Sequence, residues 1–105
     1  MKMSTSEPDL ELACRGHLER FFAAHPDAAM QKHALRALRF LRVSDKLLAG
    51  KPEGWAAGII CLVAKWARPA CGVPGLLNRE FEATMGVSME AARRRAAQVE
   101  QLIRL

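Results

Sequence analysis

Two hydrophobic rhythms run along the chain. Over most of it, apolar residues return every three or four positions, the spacing of a helix with one buried face. From Trp55 to Ala64 no charged or strongly polar side chain interrupts them. An unbroken run of that length predicts a helix covered on every side. It is too short to span a bilayer, which takes roughly 20 apolar residues. Pro52 suits the first helical position, where its missing N–H costs nothing. The small residues Ala56, Ala57 and Gly58 let neighbouring helices come close. Residues 52–66 therefore read as the buried centre of the fold, and the next helices are placed around it.

The polar residues 1–7 predict a flexible start, with Ser6 or Glu7 capping a helix that opens at Pro8. Leu10, Cys14, His17, Leu18, Phe21 and Phe22 mark its apolar stripe, and His25-Pro26 ends it. A second helix is expected from about Asp27 to Val43 or further, burying Met30, Ala34, Ala37, Leu38 and Leu41. Lys32, Arg36, Arg39 and Arg42 form a single stripe on its other side. Lys46 extends that stripe only if the helix survives Ser44-Asp45. Gly50 closes this section. The Pro- and Gly-rich run 69–75 reads as a loop within one domain. A fourth helix is expected over about 76–85, ending at Gly86, and Ser88 caps a fifth that runs to the C-terminus.

Half of the 105 residues are hydrophobic and Tyr is absent. With abundant Ala and few β-branched residues, that balance favours helix over sheet. The expected fold is all-α, a single five-helix domain over residues 8–105. A net charge of +5 and a pI near 9.6 suit a polyanionic partner. The three cysteines, Cys14, Cys61 and Cys71, are odd in number and irregular in spacing. They form neither a disulfide framework nor a zinc signature. The opening residues lack the cationic-then-apolar pattern of a secretory leader. A reducing, cytoplasmic setting without membrane contact is the resulting expectation.

Candidate chemistry concentrates in residues 76–104, where helix, Met85-Gly86-Val87-Ser88 and helix follow the order of a helix-turn-helix. Gly86 permits the sharp turn, while Met85 and Val87 pin the two helices together. Ala92, Ala96, Val99 and Ile103 line up as the packed face of the last helix. Glu90, Arg94, Ala97 and Gln101 oppose them, flanked by Arg93 and Arg95. A major-groove reader needs Arg, Gln or Asn free to reach base edges. Arg93, Arg94 and Gln101 fit that need, and Ser88 and Arg95 are expected to approach the backbone. Glu80, Glu82 and Glu90 oppose the arginines and leave the motif near neutral. Lys32, Arg36 and Arg39 add phosphate contacts if their stripe lies on the same side. The stripe holds no aromatic residue, which disfavours single-strand binding.

Enzyme chemistry finds no constellation. Cys14 and His17 share the apolar face of the first helix and read as packed residues. Neither His25 nor His33 has an evident partner in the sequence. A phosphate-binding glycine loop and a paired-carboxylate constellation are absent, and the cysteines lack metal-site spacing; no cofactor and no metal are expected. Trp55 and Trp66, three turns apart, can share a face, and core packing accounts for both.

The run from Gly50 to Ile60, with Ala13-Cys14 and Leu18 upstream and Phe81 and Gly86-Val87-Ser88 downstream, resembles a family of uncharacterised bacterial helical domains. Their core reads Gly-Lys-Pro-x-x-Trp-Ala-Ala-x-Ile. The same segment is similar, more distantly, to the cyclin-like repeat of transcription factor IIB, where an Ala-rich buried helix also precedes a helix-turn-helix. The resemblance implies about five helices, and it implies docking to nucleic acid or protein. Met85 stands where the bacterial pattern has Phe, and Ala91 where it has Thr. The expected function is non-catalytic binding of duplex DNA, possible in a transcription setting. The alternative is an adaptor of the same architecture that docks an acidic protein partner or a second copy.

Overall fold

A computed structural model describes residues 6–43, 51–67 and 77–104. Among the described residues there are five helices and no strand: α1 (Ser6–Ala24), α2 (Ala28–Val43), α3 (Pro52–Ala67), α4 (Asn78–Met85) and α5 (Met89–Arg104). The fold is all-α. The expected loop at 69–75 and any continuation of α2 toward Lys46 lie outside the described residues.

The ends of the helices follow from local chemistry. Pro52 opens α3, as its fixed φ favours. Asp27 caps α2, its Oδ1 accepting the Met30 N–H at 3.1 Å. Gly86 ends α4 in the left-handed conformation, φ 73°, and its N–H donates to the Glu82 carbonyl at 2.8 Å. Ser88 caps α5, its Oγ accepting the Ala91 N–H at 3.1 Å. Two starts differ from the pattern. α1 takes in Ser6 and Glu7, because Pro8 is tolerated anywhere among the first residues, whose N–H groups have no partner inside the helix. α4 begins at Asn78, because Leu77 is extended and its N–H donates to Glu80 Oε1 at 3.1 Å.

α3 touches all four other helices, so its apolar circumference is covered. Every residue from Gly54 to Ile60 is buried, and so are Leu62, Val63 and Ala64. Its widest contact is with α5, and Gly58 marks the crossing. A Cβ there would lie 2.6 Å from Arg95 Cβ and 2.9 Å from the Ala96 nitrogen. Only a glycine lets the two helices meet at that distance. On the other side, Phe21 of α1 meets Phe81 of α4 edge-on, ring centres 5.9 Å apart. The two tryptophans differ from expectation: Trp55 is buried, but Trp66 is 50% exposed. Both lie on one side by helical period. Lys65 and Trp66 are exposed in the last turn of α3, although Ala64 beside them is fully buried and Lys65 pairs with Glu100 of α5 at 3.6 Å.

Candidate nucleic-acid interface

α5 buries Ala92 and Val99 against the core and turns Glu90, Arg93, Arg94, Ala97, Gln98 and Gln101 to solvent. Arg93, Arg94 and Gln101 thus share the exposed side, as their spacing predicts. Arg95 does something else. Its guanidinium carbon sits 4.5 Å from the centre of the Trp55 ring, in cation–π range. Its Nη1 donates to Gln98 Oε1 at 3.0 Å. Half-buried, Arg95 is fastened to α3, close to the point where the helices cross. Ser88 is exposed with its Oγ committed to the Ala91 N–H.

Arg93 lies on the opposite flank of the crossing, near Cys61 of α3. Burial pushes the Cys61 thiol up to about 11, and the Arg93 charge pulls it part of the way back. Arg95 and Arg93 therefore straddle α3, while Arg94, about 100° from each around the helix, points away from it.

The start of α5 is anionic. Glu82 reaches across the Gly86 turn, and its Oε2 accepts the Met89 N–H at 2.7 Å. That charge-assisted bond satisfies a donor which an N-terminus otherwise leaves open, where the helix dipole favours a carboxylate. Glu90 adds a second, exposed carboxylate in the first turn. Read from sequence alone, Glu82 only opposes phosphate. In the fold it ties α4 to α5, and its place just ahead of a glycine turn and a capping serine is the signal that could have revealed this.

On α2, Lys32, Arg36 and Arg39 are exposed opposite the buried Met30, Ala34, Leu38 and Leu41. The Arg42 side chain lies outside the described residues. Between Ala28 and Val43 there is no Asp or Glu. Phe40, unassigned by the hydrophobic pattern, is 43% exposed at the edge of this stripe, so an aromatic does accompany the cations. α2 packs against α5 as well as α1 and α3.

The remaining candidates are held by the fold. Cys14 is fully buried, and His17 Nδ1 accepts a hydrogen bond from Arg20 Nη2 at 3.2 Å. His25 packs on Phe21, ring centres 5.0 Å apart. Among the described residues, no three His, Cys, Asp or Glu side chains gather as metal ligands, and no helix is long and apolar enough to cross a membrane. Against family models, curated proteins and solved structures, the chain finds no match.

Proposed function

We propose that the chain is a non-catalytic helix-turn-helix module of cyclin-like architecture that binds duplex DNA through the exposed side of α5. The observation that carries this reading is the grouping of Arg93, Arg94 and Gln101 on the solvent side of a helix fastened to the core at Gly58. Arginines on such a face supply phosphate contacts and, with Gln101, groups able to reach base edges. Arg95 serves by holding the helix, and Ser88 by capping it. Fluorescence anisotropy with a labelled random duplex tests the reading. The Arg93→Ala/Arg94→Ala variant keeps Arg95 on Trp55 and should bind more weakly. Its salt slope should fall by about 0.9 for each phosphate contact removed. Absence of binding by the wild type at low salt refutes the proposal.

A second reading has its own support. Glu82 and Glu90 place two carboxylates at the end of α5 that a groove reader inserts first, where they repel phosphate. A protein adaptor needs no such insertion, and Arg93 and Arg94 would then face an acidic partner. Light scattering on the purified chain detects self-association, the simplest form of that alternative.

A further inference from the structure

We infer that the exposed side of α2 is a separate nucleic-acid surface suited to a single strand, with Phe40 as the stacking residue and Lys32, Arg36 and Arg39 as the phosphate contacts. The inference goes beyond the duplex reading of α5 and does not depend on it.

Three observations lead there. First, α2 carries no acidic residue from Ala28 to Val43, so the charges on its own solvent side are all cationic. Lys32, Arg36 and Arg39 follow one another at four and three positions, about 5–6 Å between successive Cβ atoms. A row of that kind tracks a chain of anions better than one charged group. Second, Phe40 lies four residues beyond Arg36 and seven beyond His33, on the same ridge, and is 43% exposed. Single-strand sites combine a cationic track with an aromatic face on which a base stacks, a contact that any base can make. In a duplex the base faces are already stacked and unavailable to Phe40. Third, the broad apolar face of α2 is used up inside the core through Met30, Ala34, Ala37, Leu38 and Leu41. An interfacial membrane helix needs that face free, and one phenylalanine does not replace it.

The test is anisotropy with a short labelled oligothymidylate, at low and moderate salt, on the intact chain. Phe40→Ala should weaken binding about tenfold with an unchanged salt slope, since stacking releases no counterion. Phe40→Leu should behave alike while retaining apolar bulk, which separates loss of stacking from loss of fold. The Lys32→Gln/Arg36→Gln/Arg39→Gln variant should lower the slope by about two, at about 0.7 per single-strand phosphate. Equal affinity of both Phe40 variants and wild type overturns the inference. So does wild-type chain that ignores the oligonucleotide at low salt, or that leaves it for vesicles containing phosphatidylserine. If Arg93→Ala/Arg94→Ala abolishes oligothymidylate binding and the α2 variants do not, the strand belongs to α5 and the inference falls.

Discussion

Gly58→Ala should destabilise the protein even though alanine is the better helix former. The new Cβ would stand 2.6 Å from Arg95 Cβ and 2.9 Å from both the Arg95 carbonyl carbon and the Ala96 nitrogen. Carbon atoms in contact settle at about 3.5–4.0 Å, so α5 must withdraw by roughly 1 Å. The atoms in the way are backbone and Cβ, which no rotamer change can move. Overpacking of a tight contact costs about 1–3 kcal/mol. Helix propensity returns about 1 kcal/mol. Withdrawal also loosens Arg95 over Trp55, a contact worth about 0.5–1 kcal/mol. A net loss of about 1–2 kcal/mol follows, each kcal/mol lowering Tm by about 4–8 °C in a domain of this size. Urea and thermal unfolding followed by circular dichroism measure it. Gly16→Ala is the control, because its Cβ would meet only the far end of the Arg20 side chain, at 3.4 Å. That variant should gain up to about 1 kcal/mol. If Gly58→Ala gains stability alongside Gly16→Ala, the close crossing of α3 and α5 is wrong.

Arg95→Ala should cost about 1 kcal/mol through the lost cover on Trp55, whereas Arg94→Ala should stay within about 0.5 kcal/mol, as thermal melts can compare. Glu82→Ala removes the acceptor of the Met89 N–H and should lower stability by about 1–2 kcal/mol in urea titrations; an unchanged midpoint would show that water replaces the carboxylate freely. The Cys61 thiol, moved from 9.0 to about 11, keeps its proton at neutral pH, leaving about a hundredfold less thiolate there. In a Cys71→Ser background its alkylation should therefore be slow and accelerate only as pH approaches 11. Arg93→Ala should slow it further, because that charge favours the thiolate. Glu90→Gln should tighten duplex binding if the start of α5 approaches the phosphates, and leave affinity unchanged if the middle of the helix makes the contacts.

Much of the fold is legible in the sequence because it rests on local signals. Pro52, Gly86, Ser88 and Asp27 each impose a backbone conformation or satisfy a helix end within a few residues of themselves. The continuous apolar run of α3 demands cover on all sides, and it receives it. What escapes the sequence depends on contacts between helices. Three adjacent arginines point about 100° apart, so Arg93, Arg94 and Arg95 cannot all face one ligand. Which one turns inward depends on where Trp55 lies across the α3 contact. Gly58 looks like any small residue until the backbone of α5 is seen against it. Glu82 looks like a surface charge until the Gly86 turn brings the start of α5 to its carboxylate. Phe40 sits at the boundary of the α2 stripe, where the helical period alone does not decide exposure.

The order of charge along α5 is the physical link between these details and function. Its first turn holds Glu90 and receives Glu82, and its second carries the exposed Arg93 and Arg94 beside Arg95, which is held on Trp55. Further on, the exposed Gln98 and Gln101 are neutral, and Glu100 pairs with Lys65 of α3 at 3.6 Å. A helix that enters a groove by its N-terminus presents its first turn to the phosphates, and here that turn is anionic. The arginines one turn later are free of this conflict when the helix lies along the backbone and touches it with its middle. Such a pose supplies phosphate contacts but brings few side chains to base edges, so affinity should depend on salt far more than on sequence. A protein partner escapes the conflict as well, by matching acids to Arg93 and Arg94 and leaving the first turn in water. On the proposed reading, nonspecific duplex binding and docking of an acidic protein would both draw on this one helix, divided by whether the carboxylates at its start meet phosphate or solvent.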